Sequence, residues 1–290
     1  MDEVYRRHLI EGERAGMRYA LSVPHRVPSG VSGVQMSNRS GSSLEFMDHR
    51  DYLPGDDLRR IDWSAFARSD KLTIKLYREE VSPHLDIVLD GSRSMALEQS
   101  AKPQAHLGLA AVFATAAANA GYSHCAWIAG AGCERVGNGS DDPSVWEGIA
   151  FDYTGDPAES FARLPPAWRP RGIRVLLSDL FWLGDPMLTL WHLADRAAAV
   201  VVVQVVARAD ASPPERGNIR LVDSESGEVM ELFLDALAER RYREAFTRHQ
   251  QNWHRAARQA GAAMTTVTAE EVVGDWDLAD LVRAEILKVA

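Results

Sequence analysis

The chain has 290 residues, 46% of them apolar and 25% charged, with a formal net charge of −9. This balance sits near the globular average and argues against intrinsic disorder. It also argues against a general nucleic-acid binder, which would present a basic face. The two cysteines, Cys125 and Cys133, make no CxxC pair and no cluster with histidine, so a zinc site and a disulfide framework are both poor readings.

Residues 1–14 are charged throughout and lack an apolar h-region, so no signal peptide is expected. Residues 1–34 read as an amphipathic helix followed by a Pro/Gly/Ser loop. From 35 to 80 the chain is dense in charge and punctuation, with a turn at Pro54-Gly55. Ile61, Trp63 and Ala65 alternate, as do Leu72, Ile74 and Leu76, with Ser69-Asp70-Lys71 between them. This pattern predicts a β-hairpin with one buried face.

Beyond residue 80, strands alternate with helices. Residues 85–89 form an apolar run ending in Asp90 and read as a buried strand. Residues 107–120 are apolar nearly all round, predicting a helix packed deeply on a sheet. A strand is expected at 125–129. Asp156-Pro157 resembles an N-cap and first-turn proline opening a helix through Leu164. Residues 173–177 read as a strand ending at Ser178-Asp179, and Asp185-Pro186 repeats the capping pattern before a helix through Ala198. The valine-rich segment 199–207 is a strand, since a run this short cannot span a membrane. A hairpin follows, 219–222 with 229–233, turning at Ser226-Gly227. Leu234, Leu237, Tyr242, Ala245, Phe246, His249, Trp253 and Ala257 keep helical spacing. A strand at 264–267 and a last helix at 276–289 complete the chain.

Such alternation implies βαβ crossovers and a doubly wound, mostly parallel α/β sheet with helices on both faces. The expected division is an N-terminal helix and β-rich extension over residues 1–80 and an α/β domain over 81–290. A cytoplasmic location without a membrane span is the matching expectation.

Chemistry concentrates at strand ends. Asp90-Gly91-Ser92-Arg93-Ser94 follows the first buried strand directly, and in doubly wound sheets ligands bind outside the carboxyl ends of strands. Asp179 holds the equivalent place after another strand. A tight turn would set the Ser92 and Ser94 hydroxyls beside Asp90, with Asp179 closing from the neighbouring strand. Two carboxylates and two hydroxyls suit a hard divalent cation, magnesium or manganese, which keeps several waters. An incoming carboxylate from a partner protein would then complete the shell. The plainer reading is that Asp90 and the serines only cap the next helix.

Asp90-x-Ser92-x-Ser94 resembles the metal-ion-dependent adhesion site of von Willebrand factor A domains. A second resemblance is more specific. Glu45-Phe46, then Arg50-Asp51-Tyr52-Leu53-Pro54-Gly55-Asp56-Asp57, then Arg59-Arg60-Ile61-Asp62-Trp63 and Ala67-Arg68 are similar to the signature of domain-of-unknown-function family 58. Members of that family carry a von Willebrand factor A-like domain directly afterwards. Leu221-Val222-Asp223-Ser224-Glu225-Ser226-Gly227-Glu228 also resembles the family's strand-turn signature. The resemblance implies a partner of the MoxR-type AAA+ ATPase class, an adaptor role in protein maturation or remodelling, and no established enzymatic activity. Carried over by position, Asp90, Ser92, Ser94 and Asp179 match the adhesion site, and Thr154 is the candidate for its intervening threonine. Leu180 stands where many such domains have glycine.

Competing readings remain open at this level. A metal-dependent hydrolase or phosphotransferase would use Asp90. However, position 92 is serine where a haloacid dehalogenase-type enzyme needs an acid, and neither Ser92 nor Ser94 sits in G-x-S-x-G. A scaffold with a vestigial metal site is the other alternative. No G-x-x-x-x-G-K-[ST] is present, so the ATPase activity of the implied partner is not in this chain. Asp48, Asp51, Asp56, Asp57 and Asp62 interleave with Arg50, Arg59, Arg60 and Arg68. A structural ion-pair network fixing the extension is favoured over a partner-facing surface. His249 is expected as a packed residue and His106 as a helix cap.

Overall fold

The computed structural model describes residues 3–23, 44–79, 83–97, 99–137, 142–182, 184–213 and 215–290. Contacts divide the chain into two units, residues 1–27 with 83–290, and residues 28–82. The first segment, α1 (Glu3–Gly16) and β1 (Tyr19–Leu21), therefore belongs to the α/β unit and not, as its sequence position suggests, to the extension.

The smaller unit contains β2 (Leu44–Asp51), α2 (Trp63–Ser69) and β3 (Thr73–Glu79). β2 and β3 pair antiparallel with an irregularity between Phe46 and Asp48. The expected hairpin between residues 61 and 76 is thus wrong: its first arm is the helix α2. Asp62 overrides the alternation there, because its carboxylate accepts from the backbone N–H groups of Ser64 and Ala65 and caps the helix, while Asp70 ends it in a left-handed conformation. Asp62 also pairs with His49 at 2.7 Å, and Arg50 grips Asp56 with two bonds of 2.9 and 2.7 Å. The pairs Arg50 with Asp56, Arg59 with Asp57, and Asp62 with His49 and Lys75 all lie inside the unit.

The larger unit continues with β4 (His84–Asp90), α3 (Lys102–Asn119), β5 (Ser123–Ala129), β6 (Cys133–Arg135), α4 (Pro157–Arg163), β7 (Ile173–Ser178), α5 (Pro186–Ala194) and β8 (Ala199–Val206). It closes with α6 (Arg208–Ala211), β9 (Gly217–Val222), β10 (Val229–Leu234), α7 (Ala236–Gln259), β11 (Ala263–Thr268), α8 (Ala269–Asp275), α9 (Ala279–Arg283) and β12 (Leu287–Val289). Six strands form the central sheet in the order β11-β8-β7-β4-β5-β6, parallel except for β6. Asp156 and Asp185 cap α4 and α5 through backbone N–H groups, with proline in the first turn of each, as their sequences predict.

Alternation along the strands sorts two cores. Leu85, Ile87 and Leu89 of β4 face α1, α3 and α8, whereas Val88 faces the other side with Phe161, Leu190 and Trp253. Helices therefore cover both faces, which is why β4 and β7 are buried along their whole length. α3 is apolar all round because one side meets the sheet and the other meets α1. That crossing is close: a Cβ on Gly12 would collide with the Gly108 backbone, and one on Gly108 with the Trp276 ring.

Two helix ends differ from expectation. α5 stops at Ala194, where Asp195 caps it and Arg196 turns left-handed. The expected last helix at 276–289 is broken into α9 and β12. Trp276 and Glu285 adopt positive φ, and residues 287–289 pair with β1, so a strand partner claims the terminal residues.

Candidate functional site

From β4 the chain runs to β5 on one side and later returns to β7 on the other, so the tips of β4 and β7 flank a topological switch point. Leu89 is paired with Leu177, which sets Asp90 and Ser178 side by side and Asp179 one residue beyond. The Ser178 hydroxyl donates to Asp90 Oδ2 at 2.5 Å, and the Ser92 N–H donates to Asp90 Oδ1 at 2.9 Å. Ser92 Oγ and Ser94 Oγ are hydrogen-bonded to each other at 3.0 Å. The turn is held from a second side by Tyr153, whose N–H donates to Gly91 O and whose carbonyl accepts from Arg93 N, both at 3.1 Å.

The structure thus gathers Asp90, Ser92, Ser94 and Asp179 at neighbouring strand tips. Thr154 is brought beside the loop by the Tyr153 backbone, but it is exposed and its hydroxyl makes no hydrogen bond among the described residues. Leu180 is fully buried and takes φ of 64°, the left-handed conformation that glycine would adopt freely.

Electrostatics separate the two aspartates. Asp90 is completely buried, and burial, followed by the nearby Asp179, pushes its carboxyl up to about 7 despite the bonds from Ser178 and Ser92. Neither lysine nor arginine is among the groups that set this value. Asp179 instead has a resident cation. Lys102 Nζ lies 2.9 Å from Asp179 Oδ2 and 2.8 Å from Asp210 Oδ2, 5.1 Å from the Phe181 ring centroid, with its side chain 1% exposed. Burial pulls this ammonium's pKa down, but Asp179 and Asp210 together hold it above the ordinary lysine value. Asp179 Oδ1 accepts from Phe181 N, so both of its oxygens are engaged.

Glu225, at the turn between β9 and β10, also reaches the loop. Its Oε1 accepts from Ser94 N at 3.2 Å, and its carbonyl accepts from Arg93 Nη1 at 3.3 Å. Lys102, Asp210 and Glu225 escape a reading from spacing because each comes from a different element. Asp210 carried the one usable signal, lying just past the carboxyl end of β8, where the same strand-end rule applies. His106 is not a cap: it lies inside α3, fully buried, and its Nε2–H donates to Leu177 O. Burial lowers its pKa to about 4, so it is neutral. His249 packs against Phe181 and donates to Leu180 O, a structural role as expected.

The donors fit a small hard cation in one measurable respect. Adjacent ligands of an octahedral ion with bonds of ~2.1 Å are about 3.0 Å apart, which is the Ser92–Ser94 hydroxyl separation. Asp90 supplies a buried carboxyl whose pKa is set by neither lysine nor arginine and whose charge an ion would stabilise. Asp179, by contrast, is already paired. No group of three or more His, Cys, Asp or Glu side chains with metal-binding geometry occurs among the described residues. Any cation would therefore rest on the hydroxyls and Asp90.

Comparison with known proteins agrees with the signature residues. The chain is 28% identical over 275 residues to "Uncharacterized protein Rv1480" of Mycobacterium tuberculosis and, equally, to "Uncharacterized protein Mb1516" of Mycobacterium bovis. Each alignment covers 91% of this chain and 85% of the relative. "Uncharacterized protein MAV169" of Mycobacterium avium is 30% identical over 129 residues, 44% of this chain and 73% of that protein. Among solved structures, the conserved hypothetical protein BatB from Bacteroides thetaiotaomicron aligns with 69% of this chain and 98% of its own. It does so at 13% identity and a TM-score of 0.37, too low to carry a fold argument. The model of the family described as "Protein of unknown function DUF58" matches residues 48–257. With most of its length matched, including the strand-tip loop and the Glu225 turn, the chain belongs to the DUF58 family.

Proposed function

We propose that the β4–β7 strand tips form a protein-recognition site. Ser92 and Ser94, with the buried Asp90 carboxyl behind them, would hold a magnesium or manganese ion, and that ion would supply the positive charge for an acidic side chain of a partner protein. The observation that carries this reading is a pair of loop hydroxyls, hydrogen-bonded to each other at a separation that also suits cis ligands, beside a buried carboxyl whose pKa is set by neither lysine nor arginine. A divalent ion would offset the charge of that carboxyl, and two neutral hydroxyl ligands would leave the ion electrophilic enough to take an external carboxylate. Asp179 acts behind the ion by fixing Lys102 and the loop, and Thr154 borders the site without a ligand role. The partner implied by the family resemblance is a MoxR-type AAA+ ATPase or its client, with this chain as adaptor.

A binding role is favoured over catalysis because Asp90, the candidate nucleophile, is fully buried with both oxygens already accepting hydrogen bonds. Attack on a phosphoryl or acyl group needs a carboxylate oxygen free to reach it.

One observation favours a second reading. Lys102 already supplies a positive charge at the β7 tip, as a scaffold that has exchanged its metal for an internal ammonium would. Calorimetric titration of the protein with Mg²⁺ and Mn²⁺, repeated on Asp90→Ala and on Ser92→Ala/Ser94→Ala, separates the two. Saturable binding lost in both variants supports the ion-centred site. Absence of binding to the wild type leaves the lysine-stabilised scaffold. Co-purification with a purified MoxR-type ATPase, with ATP and Mg²⁺ present, tests the partner assignment.

A further inference from the structure

In the β9–β10 hairpin Leu221, Val222, Val229, Met230 and Phe233 are all exposed, and among the described residues the two strands pair only with each other. A two-stranded ribbon of this kind has little stability of its own. Its tip is nevertheless preorganised: Asp223 accepts from Glu225 N, Ser226 N and Ser226 Oγ, which fixes the turn and presents the Glu225 side chain outward. What that side chain meets is the Ser92–Ser94 loop, through Ser94 N, while Arg93 holds the Glu225 carbonyl. The second carboxylate oxygen, Oε2, is shielded from solvent and has no hydrogen-bond donor among the described residues. An anionic oxygen in that condition costs free energy.

We propose that the hairpin is an intramolecular latch. Glu225 occupies the face of the Ser92–Ser94 loop that a partner's carboxylate would use, so engagement of a partner requires the tip to lift. This inference rests on the partner-acid reading of the site, and it names the regulation of that site. The chemistry supports it: Glu225 is itself a carboxylate on a flexible stem, delivered to the loop by an element with few other attachments. The unpartnered Oε2 means the latched state is held by one backbone hydrogen bond and one arginine contact, weak enough for a competing acid to displace. An incoming acid would take over the same Ser94 N–H bond and add its own contact to the ion, which Glu225 does not make.

Hydrogen–deuterium exchange on the full chain tests the latch without assuming a metal. In Glu225→Ala the Ser94 amide and the backbone of residues 217–234 are expected to exchange at least tenfold faster than in the wild type. Glu228→Ala, on the same turn and exposed, should leave both unchanged. Equal Ser94 exchange in wild type and Glu225→Ala overturns the latch. Mn²⁺ titration of the same two proteins supplies the second arm. Binding absent from both, with the exchange difference intact, refutes the ion-centred reading while the latch contact stands. Binding present in both with no exchange difference refutes the latch alone.

Discussion

Lys102 and Asp179 meet at 2.9 Å in the interior, each side chain 1% exposed, and Asp210 takes the same ammonium from its other side at 2.8 Å. Removing one member of a buried pair leaves the others uncompensated, which costs roughly 3–5 kcal/mol. Lys102→Met is therefore expected to lower unfolding stability by about that amount in chelator-treated buffer. If the ion-centred site exists, Mn²⁺ should restore part of the loss, because a divalent cation can then serve Asp179 as well as Asp90. Thermal melts of the variant with and without Mn²⁺ read both effects. A variant as stable as the wild type would show that the pair contributes nothing net.

Asp90 makes a pH prediction with a defined sign. Its folded pKa of about 7 lies above the ordinary aspartate value, so the folded state binds the extra proton between about pH 4 and 7. Where the folded state binds more protons, stability falls as pH rises. The Asp90 contribution is thus a penalty absent below about pH 4, growing through pH 7 and complete above it. Asp90→Asn should flatten that part of the stability curve, and at pH 7.5 the variant should unfold at higher denaturant than the wild type in metal-free buffer. A wild-type curve that rises from pH 5.5 to 7.5 and is unchanged by Asp90→Asn contradicts this.

At Leu180 backbone strain and packing pull in opposite directions. A left-handed conformation costs a non-glycine residue roughly 1–2 kcal/mol, and the buried leucine side chain contributes roughly 2–5 kcal/mol by comparison with alanine. Leu180→Gly and Leu180→Ala should both destabilise. Glycine should be the better of the two by about 1 kcal/mol, the reverse of their usual order. Urea unfolding of the pair measures the difference directly.

Asp62 gives the smaller unit its acid limit. The hydrogen bond from His49, with the backbone donors of Ala65 and Ser64 and the charge of Lys75, holds its carboxyl at about 2. A depressed folded pKa stabilises above the unfolded value near 4, and the gain is lost as pH falls toward 2. The α2 amides of Ser64 and Ala65 should lose protection below pH 4. They should lose it at neutral pH in Asp62→Ala, with the β4–β8 amides unaffected.

Much of this architecture is readable along the chain. The strand at 84–90, the Asp-Pro caps of α4 and α5, and the long helix α7 follow from local periodicity and capping, which tertiary contacts reinforce. At Asp62 the sequence signal misled because a single side-chain cap outweighs three alternating apolar residues. At residues 287–289 a helix-compatible stretch yields to β1, a partner visible only once the chain has folded. The site divides the same way. Asp90, Ser92, Ser94 and Asp179 announce themselves by following apolar strands. Lys102, which pairs with Asp179 and Asp210, comes from the first turn of a helix and carries no local mark.

The β1–β12 ladder has a bearing on synthesis. Residues 19–21 wait for residues 287–289, with every strand of the central sheet made in between. Closing so long a loop is entropically slow. On the ribosome, residues 19–21 cannot complete their pairing until residues 287–289 have cleared the exit tunnel.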